Sequence, residues 1–366
     1  MDDHKLHLGI DGTLSFLKST ANTENVVTGE KGYNTTRYPD GGNSMHTVEA
    51  FATHVWDISP KWSIHDGIRL GYATTYSSVK DTEQFPFFGG GSQRKNNLTY
   101  SAAIGLNYLP SKTWKTAFSM STAYRVPNID NTSKVFDSKV GTVTIPNKHI
   151  RPEKTVSADL NITKHVADVL TWENVVYATY YFDAITTARG TFMGGSQMEY
   201  QGELCDVYTY TNAKTAVLWG ASSSLTAKPS RQTELYASFN YTYGRILSGG
   251  KRQPFDHIPP IYGRVGAAWL TPDGRFDMYA LYNGPKPIDD YNTDGEDNID
   301  YATVKGANGR GMPAWFTLNV KGSYNLNGSI ALQAGVENIL DTEYRVFSSG
   351  INAPGRNVYA AVRMTF

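Results

Sequence analysis

A short acidic stretch beginning at Asp290 has the spacing most suggestive of metal chemistry. Asp290, Asn292 and Asp294 alternate along the chain, and Gly295 follows them. This is the pattern of the first half of an EF-hand calcium loop, in which oxygen ligands alternate and a glycine allows the sharp turn. The twelfth position is Tyr301, where a bidentate glutamate is required. The stretch therefore predicts a weak calcium site at Asp290, Asn292 and Asp294, with a solvated acidic loop as the alternative. We expect no other cofactor.

The other residues that could carry out chemistry are scattered. The 8 histidines form no His-x-x-x-His pattern, and the chain has no Gly-x-Ser-x-Gly or Cys-His arrangement. Cys205 is the only cysteine, so neither an intrachain disulfide nor a cysteine-rich metal site can form. The sequence predicts that the protein is not an enzyme.

The last eleven residues show which kind of element must position these groups. Val358, Val362 and Phe366 fall on one face of a period-two pattern, whereas Asn357 and Arg363 fall on the other. A strand with this pattern has one apolar and one polar side. Outer-membrane barrels combine this alternation with an aromatic residue at the C-terminus.

Alternating segments of this kind recur along the whole chain. We predict about fourteen strands, at residues 4–16, 47–57, 62–76, 98–108, 114–125, 154–163, 171–185, 213–227, 233–243, 264–270, 276–282, 314–324, 329–338 and in the last eleven residues. Short turns and long polar loops alternate strictly between them. Outer-membrane barrels have short periplasmic turns and long extracellular loops, so the sequence predicts an all-β, transmembrane antiparallel β-barrel.

Composition agrees with this fold class. The mean hydropathy is −0.41, and no uninterrupted apolar stretch reaches the roughly 18 residues that a helical span needs. The 24 tyrosines suit strands and membrane interfaces, since the ring is apolar and the hydroxyl is polar. The net charge of +0 gives no support for a nucleic-acid partner.

The alternation also predicts which face of each strand meets lipid. Charged residues such as Arg69, Asp159 and Lys321 lie opposite the apolar set. A lysine or arginine at mid-bilayer would cost about 2–4 kcal/mol, so the charged faces should be lumenal. The predicted lipid-facing residues are Leu235, Phe239, Val320, Leu332 and Val362, and the predicted lumenal residues are Asn240, Asn319, Glu337 and Arg363.

Three stretches carry motifs of a known family. Residues 124–130 read Tyr-Arg-Val-Pro-Asn-Ile-Asp, residues 145–153 read Ile-Pro-Asn-Lys-His-Ile-Arg-Pro-Glu, and residues 336–345 read Val-Glu-Asn-Ile-Leu-Asp-Thr-Glu-Tyr-Arg. In this order they resemble motifs in the C-terminal barrel of TonB-dependent outer-membrane receptors. The residues within the motifs are similar to those of Bacteroidetes members. The resemblance implies a 22-stranded barrel with a plug. Residues 1–366 would supply about 14 of those strands as a single, incomplete domain with the plug absent.

The resemblance also implies a function. The chain would be part of a receptor in the cell outer membrane of a Gram-negative bacterium, for uptake of a ferric chelate, either a siderophore or haem. Its partners would be outer-membrane lipid, the chelate, and the energy-coupling TonB complex acting through the missing plug. A passive outer-membrane pore or an adhesin-like barrel is the alternative, because alternation alone fits both.

Ligand contacts are expected in the extracellular loops, of which residues 126–153, 186–212 and 283–313 are predicted to be the longest. Loops longer than about 12–15 residues usually have a function. Haem receptors of this family place an iron-ligating histidine between the first two motifs; here His149, inside the second motif, would be a displaced substitute. Arg125 has an alternative role, in which it pairs charges and shapes a strand end. The candidate ligand-binding residues are Arg125, Phe136, His149, Tyr200, Tyr208 and Arg345.

Overall fold

Fourteen long antiparallel strands form one continuous wall. The computed structural model describes residues 3–34, 36–80, 82, 87, 91–135, 140–248, 250–293, 295, 297–299, 302–304 and 310–365. Within them the wall strands are β1 (His4–Leu17), β2 (Gly42–Ser59), β3 (Trp62–Ser78), β4 (Ser92–Ser111), β5 (Trp114–Arg125), β6 (Glu153–Val166), β7 (Leu170–Arg189), β8 (Glu203–Ser230), β9 (Thr233–Ser248), β10 (Tyr262–Leu270), β11 (Gly274–Asn283), β12 (Trp315–Asn325), β13 (Ile330–Glu337) and β14 (Asn357–Met364). The predicted all-β fold and its strand number are confirmed.

The connections contain shorter elements. They include one helix, α1 (Ile129–Ser133), a 3₁₀ turn at Ile288–Asp290, and short strands at Asn22–Glu24, Lys31–Tyr33, Thr142–Ile145, Gln197–Tyr200, Lys251–Pro254, Lys286–Pro287, Thr303–Val304 and Arg310–Met312. Among the described residues no helix has the length and apolarity needed to cross a membrane.

Each wall strand pairs with the strand that follows it in the chain, from β1–β2 through to β13–β14. Short turns join the strands at one end, at residues 60–61, 112–113, 167–169, 231–232, 271–273 and 326–329. Long connections join them at the other end, at residues 18–41, 79–91, 126–152, 190–202, 249–261, 284–314 and 338–356. The predicted alternation is confirmed, and every long loop leaves from the same end of the wall.

The two faces of the wall differ in polarity because side chains alternate along each strand. We call the face that carries Leu235 the outer face and the face that carries Tyr236 the inner face. One row of paired residues on the outer face runs through Leu235, Ala267, Met278, Val320, Val336 and Val358. A neighbouring row on the inner face runs through Tyr236, Gly266, Tyr279 and Asn319. The predicted apolar and polar sets lie on opposite faces, so the register is confirmed.

Two bands of aromatic side chains cross the outer face. Near the short turns, the exposed rings are Trp56, Trp62, Trp114, Trp172, Trp269, Phe276 and Tyr324; nearer the long loops they are Tyr72, Tyr100, Tyr180, Phe182, Trp219 and Phe316. On β7, Trp172 and Phe182 are separated by roughly 33 Å along the strand, at about 3.3 Å per residue. A strand tilted by about 40° converts this to roughly 25 Å of height, which matches the apolar band between the aromatic girdles of transmembrane barrels.

Ion-pair networks lie on the inner face. Arg69 Nη1 is 2.6 Å from Glu49 Oε2. Arg275 Nη2 is 2.9 Å from Glu234 Oε1, and its Nε is 2.9 Å from Asp277 Oδ2. Opposite charges that lie close together offset the cost of removing each group from bulk water, so the inner face can remain polar where lipid cannot reach it.

One expected loop is largely strand. Residues 186–212 were expected to form one of the three longest loops, and this is wrong, because β7 extends to Arg189 and β8 begins at Glu203. The pairing continues as far as Arg189 with Tyr208. Val207, Thr209 and Thr211 are β-branched residues that favour a strand. The true loop is residues 190–202, and the connection at 18–41 is longer.

The wall has two edges in the described part of the chain. β1 pairs with β2 on one side, and β14 pairs with β13 on one side. No pairing joins β1 to β14 among these residues. Outside the sheet, the described residues form the connections given above and no separate plug domain. Within the described residues the wall is therefore an open sheet with two unpaired edges.

The register generates a first prediction. Single cysteines at Leu235, Val320 and Val362, in a Cys205→Ala background, should carry spin labels that collide with lipid-soluble oxygen. Labels at Asn319 and Arg363 should respond to a water-soluble paramagnet instead, because their side chains lie on the inner face. Power-saturation measurements in bilayers test this, and lipid-accessible signals from the second pair would overturn the register.

Candidate ligand-binding vestibule

Three of the long connections pack together above the wall. Val79, Val135, Val143 and Val207 form a buried apolar core with Ile145 and Cys205. These residues come from the loops after β3 and β5 and from the upper end of β8, and we call this region the N-terminal loop cluster. Burial of apolar side chains gives the loops a core of their own, so they form a fixed surface above the wall.

A short strand ties the loop after β5 to the extended β7–β8 hairpin. Thr142–Ile145 pairs in parallel with residues 206–209 of β8. Gln197–Tyr200 pairs antiparallel with residues 203–206 of the same strand. The upper end of β8 therefore holds chain segments on both sides, and its tyrosines are fixed in position by backbone hydrogen bonds.

The first motif folds onto the inner face of β3. Asn128 caps α1, and its side-chain oxygen accepts a hydrogen bond from Asn131 N at 3.0 Å. Ser77 Oγ and Ser133 Oγ are 2.8 Å apart, and both residues are buried. The Tyr38 hydroxyl donates to Asp130 Oδ1 at 2.5 Å. Burial and this hydrogen bond raise the pKa of Tyr38 to about 12.

The second motif fastens its loop to β7 and β8. Arg151 Nη2 lies 2.5 Å from Asp183 Oδ1, and Arg151 N–H donates to Asn212 Oδ1 at 2.7 Å. Glu153 accepts from Ile185 N at 2.7 Å and pairs with Arg125 Nε at 3.2 Å. The predicted charge-pairing role of Arg125 is confirmed, and both motifs shape strand ends.

The predicted ligand residues fall in different places. His149 has an exposed side chain, and its backbone N–H donates to Asn147 Oδ1 at 2.9 Å. Tyr200 packs against the apolar core of the loops, and the Tyr208 ring lies 5.9 Å from the Arg189 guanidinium. The structure therefore brings His149, Tyr200 and Tyr208 onto one loop cluster. Phe136 lies outside the described residues.

Arg189 is a functional candidate that the sequence reasoning missed. Its Nη2 lies 3.6 Å from Asp206 Oδ2, and its guanidinium faces the Tyr208 ring. A cation held against an aromatic face is a surface for planar or anionic groups. The alternation of tyrosine with threonine through residues 207–211 was the signal that could have placed Arg189 opposite Tyr208 on neighbouring strands.

A second group of loops, the C-terminal loop cluster, joins residues 249–261, 284–314 and 338–356. Lys286 is buried at its centre, where Nζ donates to Ile258 O at 2.7 Å and lies 4.7 Å from the Phe347 ring centroid. Burial lowers the pKa of Lys286, and the Asp290 and Asp297 carboxylates oppose that shift. Arg345 belongs to this cluster, and its Nε donates to Asn352 Oδ1 at 3.0 Å.

The candidate calcium residues lie in the C-terminal loop cluster. Asp290 pairs with Arg245, whose guanidinium stacks 4.3 Å above the Tyr243 ring. Asn292 is buried, and its N–H donates to Asp297 Oδ2 at 2.9 Å. Asp294 lies outside the described residues. Among the residues that the structure describes, no three His, Cys, Asp or Glu side chains form a metal-binding arrangement.

A cavity of about 140 Å³ lies beside the Arg245–Asp290 pair. Its lining includes the rings of Tyr243 and Phe255, several prolines and Ile261, together with the charged residues Arg245, Lys286 and Asp290. Apolar and charged groups thus line the same cavity. The cavity offers room for a small ring or aliphatic group whose polar end meets Arg245.

Glu153 generates the second prediction. Glu153→Gln should remove the ion pair with Arg125 and weaken the hydrogen bond from Ile185, at a cost of about 1–3 kcal/mol in local stability. Proteolysis within residues 126–152 should accelerate, while heat-modifiable gel mobility shows that the barrel wall stays folded. The matched control is Glu199→Gln, at an exposed position of the hairpin. Equal cleavage rates in both variants would contradict the fastening role.

Comparison with known proteins identifies the family. Residues 3–339 match the family described as TonB dependent receptor-like, beta-barrel. The chain is 22% identical over 343 residues to transferrin-binding protein A of Neisseria meningitidis serogroup B, covering 84% of this chain and 36% of that protein.

Solved structures share the fold. The copper transporter OprC superposes with a TM-score of 0.79 at 18% identity, covering 100% of this chain and 55% of that one. A mutant of the ferric enterobactin receptor PfeA from Pseudomonas aeruginosa gives a TM-score of 0.69 at 18% identity, covering 99% and 51%. The chain thus spans about half of these structures and about a third of the curated relative. Members of this family are outer-membrane barrels of Gram-negative bacteria that act as receptors and transporters. The chain belongs to the TonB-dependent receptor β-barrel family.

Proposed function

We propose that this chain forms part of the wall and the outer vestibule of an outer-membrane receptor. The receptor would capture a ferric chelate, either a siderophore or haem, for TonB-dependent uptake. The observation that carries the proposal is the fixed loop surface above a family barrel, with Arg189 held against Tyr208. Ferric chelates commonly present carboxylate, catecholate or porphyrin groups, and a paired cation and ring suits such anionic or planar groups.

The role of His149 would differ between the two classes of chelate. Its exposed side chain on a fastened loop gives an imidazole access to the vestibule, which a haem iron needs. Siderophores need no protein ligand to the metal, and for them Arg189 and Arg125 would supply the opposite charge. Affinity for haemin and for ferric siderophores therefore distinguishes the two chelate classes.

The uptake step would need more than this chain. The edges of β1 and β14 carry backbone N–H and C=O groups that hydrocarbon leaves unpaired, each at a cost of several kcal/mol. We infer that further strands close the wall and that a plug couples it to the TonB complex. The inner-face networks around Glu49 and Glu234 would then face that plug.

A passive pore or adhesin-like barrel is the competing function. Loops packed around an apolar core and fastened by two motifs would narrow the mouth of a general pore, which favours the receptor. Liposome swelling with small sugars separates the two: a receptor wall with folded loops should give slow swelling, and a passive pore should give fast swelling.

The third prediction tests the proposed ligand surface. Arg189→Gln and Tyr208→Ala, made in the protein in bilayers, should each weaken binding of ferric catecholate, ferric carboxylate or haemin by about 2- to 5-fold, because an exposed cation–π contact contributes about 0.5–1 kcal/mol. Tryptophan fluorescence quenching measures the affinity. Arg231→Gln, in a short turn at the other end of the wall, is the matched control.

Deletion of whole loops extends the same test. Removal of residues 126–152, 190–202 or 284–314 should weaken binding and leave the wall assembled, because loop closure depends only weakly on loop length. If His149→Ala weakens the binding of haemin and of no other chelate, the ligand is haem. Unchanged affinity for every chelate in all variants would contradict a receptor role for these loops.

We further propose a weak calcium site at Asp290, Asn292 and Asp294, near the millimolar affinities of extracellular sites. Arg245 occupies the position opposite Asp290, so calcium must displace that cation. The fourth prediction is that calcium protects residues 284–314 from proteolysis only near millimolar concentration, and at lower concentration in Arg245→Gln. Asp294→Ala should remove the protection. If calcium protects neither protein, the stretch is a solvated acidic loop.

A further inference from the structure

Two polar residues interrupt an apolar row on the outer face. The row of paired residues runs through Leu6, His54, Asp66, Ile104, Met120, Ala158, Ala178 and Trp219. Paired residues of an antiparallel sheet project from the same face, so His54 and Asp66 point outward with the leucine, isoleucine and methionine. Their side chains are 30% and 45% exposed.

His54 links Asp66 to a second histidine. His54 Nδ1 is 3.0 Å from Asp66 Oδ2, and His4 Nδ1 is 3.0 Å from His54 Nε2. The His4 ring also stacks on Trp56, with centroids 5.4 Å apart. The three polar residues, which we call the outer polar triad, are therefore ordered by contacts among themselves and with one girdle tryptophan.

The outer polar triad lies at the level of a membrane interface. Trp56 is two residues beyond His54 on β2, and Trp62 is four residues before Asp66 on β3; both belong to the aromatic band near the short turns. That band marks the periplasmic girdle of a transmembrane barrel. Asp66 thus lies just on the hydrocarbon side of the girdle, within reach of lipid headgroups.

The hydrogen-bond pattern leaves acceptors facing out. An ionised carboxylate only accepts, so His54 Nδ1–H donates to Asp66. In neutral rings His54 Nε2 then accepts from His4 Nδ1–H, and His4 Nε2 remains an acceptor. In the described part of the chain the Asp66 carboxylate accepts a hydrogen bond from His54, and it forms an ion pair with no lysine or arginine. A carboxylate at the edge of hydrocarbon needs a cation that also donates hydrogen bonds.

We propose that Asp66, His54 and His4 form a binding site for the primary ammonium of a phosphatidylethanolamine headgroup in the periplasmic leaflet. The ammonium carries three N–H donors and one positive charge, which match the carboxylate of Asp66, and the hydrogen bonds from His4 through His54 hold that carboxylate in place. A choline headgroup has the charge without donors, and a glycerol headgroup has hydroxyl donors without the charge. The site rests on the proposed placement of the wall in the outer membrane and is independent of the chelate.

Native mass spectrometry of the folded protein with defined lipids tests the proposal. Phosphatidylethanolamine should be retained at higher collision energy than phosphatidylcholine or phosphatidylglycerol of the same acyl chains. Asp66→Asn and His54→Ala should each lower the affinity for phosphatidylethanolamine about tenfold, the factor that corresponds to one hydrogen bond of about 1.4 kcal/mol to a charged group. Heat-modifiable gel mobility confirms that each variant is folded.

His65→Ala is the matched control. His65 neighbours Asp66 on β3, and its side chain lies on the inner face beside Ser63, with the two polar atoms 3.3 Å apart. It should leave lipid retention unchanged. Equal retention of the three lipids, or an equal loss in His65→Ala, would overturn the site. Chelate binding by the same preparations reports separately on the proposed receptor function, because the outer polar triad lies at the opposite end of the wall from the loops.

Discussion

The pairing of backbone N–H and C=O groups in hydrocarbon is the constraint on which the rest of the structure depends. No water is present there to replace a missing partner, so the chain must cross as neighbouring strands in one continuous ladder. Thirteen successive antiparallel pairings provide that ladder from β1 to β14. The alternation of side chains, the separation of polar from apolar faces, and the grouping of long loops at one end all follow from it.

Above the membrane a different rule applies, because water can satisfy backbone groups and order must come from side chains. The second motif supplies it: Arg151 and Glu153 bind β7 through a carboxylate and a backbone N–H. The apolar core around Val143 adds burial to these hydrogen bonds. Loops whose backbone is fastened in this way would lower the entropic cost of binding the proposed ligand at Arg189 and Tyr208.

The strands could be predicted because their signal is periodic and spread over many residues. The upper part of β8 was not predicted, because polar residues such as Glu203, Asp206 and Asn212 interrupt the apolar alternation. This part of the strand pairs with neighbouring loop segments and has no lipid-facing side, so its sequence needs no apolar face. Sites are harder to predict than strands. The EF-hand-like spacing that begins at Asp290 does not predict the ion pair between Asp290 and Arg245, which are forty-five residues apart in sequence. Long-range pairs of this kind have no local signature.

Charged residues on the outer face differ in how easily a membrane interface accommodates them. Lys154 lies 5.0 Å from the Tyr100 ring and Lys164 lies 4.8 Å from the Trp114 ring, both outward and both at an aromatic band. A long aliphatic stem lets a lysine reach the interface while its ammonium stays hydrated. Aspartate has no such stem, so the Asp66 carboxylate stays where the strand places it. His54 orients that carboxylate but, when neutral, does not balance its charge. Beside a neutral His54, a mobile cation from the membrane itself would balance it, which is why lipid composition should matter at this position.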